Sequence, residues 1–458
     1  MLTTALAAAL LLPIAAQDGA KAAAPLKPWT LLVYGGADNN ADGPIQHFLD
    51  GVRKAIDGDP GIDLVVYIDR SKGFSQGTEL FGEDFTGARL YRLGKDSAER
   101  LAGGAEMPDI TLDQDVEIDS SDPAQLQRFI AWGKKHCPAQ RTGLLIYSHA
   151  NGETMCPDEL SQTDMGIPAL SSVMTPAESL DFLALELCNM GGIEIAYQWR
   201  PEPQRWGADV LIAIPNAGPP LDWDRAFARI RTPGHAATAQ GATLDPAKMD
   251  AVAFGNLVIE EGELGRKAMA AQNEGAGAHE SAACYDLRNV TAVKKSVDAL
   301  ARSLADTPED KDVFLEMRGP GPIGEAINYS EGGPYVDLYD LCQRAAGCDA
   351  LSEGTRACAE QVASAVDRFV LSSFGMSAYE GFEKGKSGVF IVLPAQARNW
   401  NQFVWYSPAP GKQPWLGNWA FLADGATAGN GKVEGWYELL DSWFDTADDK
   451  GGANGYRW

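Results

Sequence analysis

Short runs of consecutive apolar residues alternate with segments of helical spacing through the first half of the chain. Trp29 to Tyr34 is the first run, and it ends in Gly35-Gly36. Ile45 to Ala55 then carries apolar residues at helical intervals, and Ile62 to Ile68 is a second apolar run closed by Asp69. Arg89 to Leu93 alternates, as a more exposed strand does. Ala124 to Lys135 is helical in period. Gly143 to Tyr147 is another apolar run, ending at Ser148-His149, and Leu180 to Leu187 is the next, ending at Cys188. Ile193 to Trp199 reads as helix and Ala208 to Ile214 as one more buried strand.

Continuous apolar runs interleaved with amphipathic helices predict a parallel sheet covered on both faces, a doubly wound α/β arrangement. Such sheets bind ligands beyond the carboxyl ends of their strands. Thr232 to Gly241 is the first clear break, and Ala276 to Ser281 a second. Between them, Met249 to Ala271 is helical. Val290 to Leu304 and Gln361 to Ser372 are further helix candidates, and Gly388 to Leu393 is a last buried strand. The spacing therefore divides the chain into an α/β core over 29–230, a helical connection over 231–280 and a C-terminal subdomain over 281–458 that completes the fold.

Residues 1–16 precede this pattern. Ala5 to Ala16 is an apolar stretch too short to span a bilayer, and a polar, Ala-rich linker follows over 17–28. That is the layout of a signal peptide, which implies a periplasmic or secreted protein. No other stretch is long and apolar enough to read as a transmembrane segment. The 458 residues carry 38 Lys+Arg against 63 Asp+Glu, a net charge of −25. A polyanion would be repelled, so nucleic acid is excluded as the main partner. In an exported protein, six of the seven cysteines could form three disulfides, with Cys188 left unpaired.

The chemistry is suggested by two strand ends. Of five histidines, only His149 directly follows a predicted buried strand; Cys188 does the same at the next one. Both side chains would reach the same sheet edge, as a thiol–imidazole pair requires. A helix starting soon after Cys188 would favour the thiolate. The ordinary readings are a small buried hydrophobe for Cys188 and a carbonyl partner for His149.

Several segments, in order, resemble the clostripain-like cysteine peptidases. These are Trp29 to Tyr34 followed by Ala37-Asp38-Asn39-Asn40, then Ser148-His149-Ala150-Asn151-Gly152, then Leu185-Glu186-Leu187-Cys188-Asn189-Met190-Gly191. Weaker matches are Pro219 to Asp224, Tyr335-Val336-Asp337-Leu338 and Gly388 to Pro394. The resemblance implies a caspase-like α/β/α sandwich with a mostly parallel central sheet and a C-terminal α/β extension. It implies a cysteine endopeptidase acting on peptides or proteins, with Cys188 as nucleophile and His149 as its partner. The backbone N–H groups of Cys188 and Ala150 would form the oxyanion hole. Glu186 stands where the family has an Asp that selects basic side chains at P1, the residue before the scissile bond.

This chain departs from the family in two places. The glycine loop after His149 is altered, and Ile214-Pro215-Asn216-Ala217 lacks the further acid often found there. A catalytically inactive peptide- or glycan-binding protein on the same fold is the alternative, with the Trp-rich region 400–458 as its platform. Between Ala150 and Leu187 there is no Lys or Arg, so self-cleavage there at a basic residue is not expected. The family includes calcium-dependent members, so the resemblance admits calcium as a cofactor. Asp38-Asn39-Asn40-Ala41-Asp42-Gly43 begins like a calcium loop, but its twelfth position is Leu49 rather than Glu. A strand-to-helix turn is the expected reading, and the spacing assigns no metal ligand.

Overall fold

The computed structural model describes residues 25–56, 61–74, 77–78, 80–95, 97–234, 242–273, 275–321, 323–330, 333–407, 419–447 and 450–458. The leader-like segment 1–16 and His235 lie outside them. Apolar strands at the start of the chain build the middle of a large sheet: β1 (Lys27–Ala37), β2 (Ile62–Arg70), β3 (Gly87–Gly94), β4 (Ser97–Leu101) and β5 (Ala139–Tyr147). A separate hairpin follows, β6 (Thr154–Asp158) with β7 (Thr163–Gly166). The chain then returns to the sheet through β8 (Leu180–Glu186), β9 (Ala208–Ala213) and β10 (Ser281–Asp286). β11 (Tyr335–Asp337) pairs apart with β13 (Phe390–Val392), and β12 (Val370–Gly375) closes one sheet edge. The order across the sheet is β12-β10-β9-β8-β5-β1-β2-β3-β4. The run from β9 to β2 is parallel, and the strands at both flanks are antiparallel.

Strand alternation sorts the side chains into two layers. From β1, Trp29, Leu31 and Val33 face one side. There they pack with α1 (Asp42–Ile56) and other helices introduced below. Leu32 and Tyr34 face the other, against α2 (Pro123–His136). After α3 (Ile167–Val173) and α4 (Ile193–Gln198), α5 (Trp223–Arg229) and α6 (Ala251–Gln272) join the α1 layer. α7 (Val290–Asp306), α8 (Asp310–Glu316), α9 (Leu338–Ala346) and α10 (Glu353–Phe369) fill the α2 layer. The result is a three-layer α/β/α sandwich, the expected fold class. Under the site, Trp29, Phe182, Trp223 and Phe254 form an aromatic cluster with ring centroids 4.7–6.3 Å apart.

Two expectations need correction, one of a helix end and one of the disulfides. The helix expected over Gln361–Ser372 ends at Phe369, because Val370 onward pairs with β10. β10 itself, Ser-Ala-Ala-Cys-Tyr-Asp, lacks β-branched residues and gave no strand signal. Phe390–Val392 is a buried strand, but it pairs with β11 outside the main sheet. All seven cysteines are free, so none of the three disulfides that export would allow is present. Cys137, Cys156, Cys284 and Cys342 are buried among apolar side chains, which accounts for them as small hydrophobes. No helix among the described residues is long and apolar enough to cross a membrane.

Candidate active site

β5 and β8 are parallel neighbours, and Tyr147 lies opposite Glu186 in their register. His149 and Cys188 each lie two residues beyond that pair, just past the carboxyl ends of the two adjacent strands. Alternation also decides the face. Leu145 and Tyr147 of β5, and Phe182 and Ala184 of β8, point into the α1/α5/α6 layer. The Glu186 and Cys188 charges both act on the Tyr147 hydroxyl, which burial and these neighbours push above its ordinary value.

His149 is exposed, and its Nε2 contacts Asn40 Oδ1 at 2.5 Å. With an amide oxygen accepting, Nε2 carries the hydrogen and Nδ1 is left as the basic nitrogen. Asn40 comes from the β1–α1 turn. The preceding Asn39 anchors that turn: its side chain donates to Gly36 O at 3.0 Å, Ser148 Oγ at 3.3 Å and Pro157 O at 2.8 Å. Asn39 Oδ1 accepts from Ala41 N at 2.9 Å, the turn geometry expected of this motif. The sequence did not mark Asn40 as a partner of His149, because 109 residues separate them.

Of the other described histidines, His136 pairs with Glu106 at 3.0 Å and His279 stands edge-on to Tyr379, whereas His47, exposed on α1, lines the cavity described below. Beyond His149 the loop is pinned by Tyr335, whose hydroxyl donates to Asn151 O at 2.6 Å. Gly152 is required there: its φ is +91°, and a Cβ would stand 2.4 Å from Tyr335 Oη.

Cys188 is half-buried, with its Sγ 4.0 Å from Gly218 O. Asn189, which follows it, has φ +58° and so turns the chain sharply away from the sheet. α4 begins only at Ile193, so residues 189–192 separate the thiol from the helix end. The helix dipole falls off within a turn, and it is not what acts on this thiol. Ala150 is half-buried and bridges to Met155.

Glu186 is buried, and N–H groups hold both its oxygens. Leu221 N donates to Oε2 at 2.8 Å and Trp223 Nε1 donates to Oε1 at 2.5 Å. Burial raises its carboxyl to about 7, against the lowering effect of the Trp223 and Leu221 donors and of Arg266. Glu186 therefore braces the 218–224 segment instead of opening onto solvent. Arg266 braces the same segment through Asp222 Oδ2 at 2.8 Å and the carbonyl of Pro220.

On its outer side this segment borders a cavity of about 330 Å³, walled by Pro44, Phe48, Tyr147, Leu221, Asp222 and Asp224. Gly218, at the thiol, leads directly into that wall. Asp224 is exposed. Sequence reasoning passed over Asp222 and Asp224 as specificity residues because they follow the expected acid position by several residues in an irregular loop.

Among the described C-terminal tryptophans, Trp400, Trp405, Trp419, Trp436 and Trp458 are buried, several with their ring N–H groups bonded, as in Trp400 Nε1 to Asp441 Oδ1 at 3.2 Å, and Trp443 is half-buried.

Residues 33–443 match the model of the clostripain family. Clostripain of Hathewaya histolytica is 30% identical over 480 residues, spanning 94% of this chain and 89% of that one. Among solved structures, an inactive zymogen C11 protease from Parabacteroides distasonis is similar with a TM-score of 0.53 and 16% identity, over 81% of this chain and 93% of that chain. A secreted C11 cysteine protease from Bacteroides thetaiotaomicron, in complex with an irreversible peptide inhibitor, gives 0.52 and 18%, over 83% and 98%. At these identities the two structures bear on the fold, which is theirs.

Proposed function

Since the chain belongs to the clostripain family and is a cysteine endopeptidase, we propose that Cys188 and His149 are its working pair and that it cuts after Arg or Lys. The observation supporting the first part is the β5–β8 register, in which Tyr147 lies opposite Glu186, two residues before His149 and Cys188 respectively. The thiolate attacks the scissile carbonyl. The imidazolium, its ring steadied through Nε2 by Asn40, protonates the leaving amine. The N–H groups of Cys188 and Ala150 serve as the oxyanion donors in this reading. The buried C-terminal tryptophans weigh against a glycan- or peptide-binding platform there.

The cavity walled by Tyr147 and the 220–224 segment is the candidate P1 pocket. Its acidic rim, Asp222 and Asp224, favours a cationic side chain. Glu186 adds negative potential from behind Leu221 but does not touch the substrate in this reading. Its carboxyl ionises at about 7, so its pull on a cation is weak in acid and grows as pH rises.

The test is hydrolysis of Arg-, Lys-, Leu- and Ala-linked fluorogenic peptides between pH 5.5 and 8.5. Arg and Lys substrates are expected to lead by about 100-fold or more in kcat/KM, a gap worth ~2.7 kcal/mol. Asp224→Asn is expected to narrow the gap about tenfold. Glu186→Gln is expected to flatten the rise in selectivity with pH. Equal cleavage after Leu would sink the basic-pocket reading while leaving the Cys188–His149 assignment standing.

The Ala5–Ala16 segment supports export to the periplasm or beyond, and Ala150–Leu187 has no basic residue for self-cleavage. Terminal sequencing of protein purified from its host is expected to find a start near Gln17 and no new terminus within 150–187. A new terminus inside that interval, or an intact Met1, would overturn the corresponding part. The core over 29–230 carries the proposed pair, with 231–280 and 281–458 completing the fold in this reading.

A further inference from the structure

Two segments marked in the sequence, 335–338 and 388–394, carry neither member of the Cys188–His149 pair, yet they touch both loops that hold it. They form the β11–β13 ribbon, which lies outside the main sheet. In its register Tyr335 lies opposite Val392 and Asp337 opposite Phe390, so Tyr335 and Phe390 are diagonal neighbours on one face. Their rings stack, with centroids 4.4 Å apart, and both side chains are buried.

Each residue serves a different loop. The Tyr335 hydroxyl donates to Asn151 O at 2.6 Å, in the loop after His149. Burial, with Glu153 and Glu194 as acidic neighbours, pushes this phenol well up, so it stays protonated and keeps donating. The backbone N–H of Phe390 donates to Gly191 O at 3.0 Å, in the loop after Cys188, and Phe390 bridges in parallel to Gly192. Gly192 admits this approach because it has no side chain: a Cβ would stand 2.7 Å from Phe390 Cε2. The two loops also meet one another. A Cβ on Gly152 would lie 3.1 Å from Asn189 O as well as against Tyr335. The ribbon is itself fixed. Asp337 Oδ2 accepts from Tyr329 Oη at 2.6 Å and from Gly388 N at 2.8 Å. Val392 N donates to Glu194 Oε1 of α4 at 3.0 Å, and Tyr285 of β10 donates to Gly388 O at 2.5 Å.

We infer that the β11–β13 ribbon is a clamp that sets the His149 loop against the Cys188 loop, with Tyr335 as its positioning residue. The inference rests on the proposed reading in which Cys188 attacks and the N–H groups of Ala150 and Cys188 receive the oxyanion. Ala150 immediately precedes Asn151, whose carbonyl Tyr335 holds. His149 has its own support in Asn40. The Tyr335 hydroxyl therefore bears on where the Ala150 donor stands more than on the thiol–imidazole pair. A donor misplaced by about 1 Å costs on the order of 10²-fold in rate. Tyr335 lies 184 residues beyond Asn151, so the C-terminal subdomain takes part in the working geometry of the core.

The test uses the full-length protein and the fluorogenic peptide that the parent cuts fastest, with thermal unfolding to show that each variant is folded. Tyr335→Phe keeps the ring on Phe390 and removes only the donor. It is expected to lower kcat about 10–100-fold with KM within about twofold. Alkylation of Cys188 by iodoacetamide, followed by the mass of its peptide, should stay within about threefold of the parent, because it needs the thiolate and no oxyanion. Tyr406→Phe is the control: it removes a tyrosine hydroxyl of the same subdomain, bonded to Asp445 Oδ1 at 2.8 Å, and should keep kcat within about threefold. Phe390→Leu keeps the hydroxyl but removes the ring it leans on, and is expected to lower kcat about tenfold. Combined with Tyr335→Phe, its loss should fall short of the product of the two. An unchanged kcat in Tyr335→Phe or in Phe390→Leu, with Cys188→Ala inactive, would overturn the clamp and leave the pair standing. An equal fall in Tyr406→Phe, or a parallel fall in alkylation, would overturn it in favour of general loosening or loss of the thiolate. Activity in Cys188→Ala would instead remove the reading on which the clamp rests.

Discussion

Cys188→Ala is expected to lose peptide hydrolysis by about 10⁴-fold or more while the protein stays folded. The thiol sits half-buried just past a strand end with a long 4.0 Å approach to Gly218 O, so its removal disturbs little packing. His149→Ala should fall comparably, because without the imidazole neither the thiolate nor the protonated leaving group is supplied. The double variant should be no worse than the worse single one, since the two groups act as a unit. Asn40→Ala is expected to lie between, at about 10–100-fold in kcat with KM little changed, because it removes the partner of Nε2 and not the reacting groups. Single-turnover assays beside thermal unfolding check all four. Full activity in Cys188→Ala would end the assignment.

Asp42→Ala is expected to destabilise the fold by about 3–5 kcal/mol, as measured by urea unfolding. Asp42 and Arg70 are each 0% exposed in their side chains and meet through Nε–Oδ1 at 2.8 Å and Nη2–Oδ2 at 3.2 Å. Gln46 Nε2 also donates to Asp42 Oδ1 at 2.8 Å. Removing the carboxylate leaves a guanidinium in the interior with Asp84, which is partly open to water, and the Phe85 ring, 4.7 Å away. Asp50→Ala is the control on the same helix. Its partners Arg53 and Lys54 lie nearer the surface, and its loss should cost about 1 kcal/mol or less. A cost for Asp42→Ala no larger than for Asp50→Ala would show that the buried pair contributes nothing net.

The parts of the fold that could be read in advance are those where composition forces a local answer. Trp29 to Tyr34, Ile62 to Ile68, Gly143 to Tyr147 and Leu180 to Leu187 are strands, because only a sheet covered on both faces can bury such runs. β10 escaped notice because small residues suit many settings; it becomes a strand only by pairing with β9 and β12. The cysteines misled for a related reason. Spacing within 342–358 allowed local bridges, but helix and sheet packing left every thiol unpaired.

The sequence by itself determined the α/β alternation, the two strand ends carrying His149 and Cys188, the acidity of the chain and the family to which it belongs. Each is a property of short segments or of their order, and local physics or direct comparison reads it. Only the tertiary structure decided which strands are neighbours, and with that what faces what. β5 and β8 lie side by side and end just before His149 and Cys188, and the β1–α1 turn brings Asn40 to the His149 ring. Trp223 and Leu221 occupy the oxygens of Glu186, leaving Asp222 and Asp224 at the cavity. The same folding set Tyr335 and Phe390 against the loops after His149 and Cys188. Contacts across such separations arise from burying surface throughout the whole sheet, so no single segment encodes them.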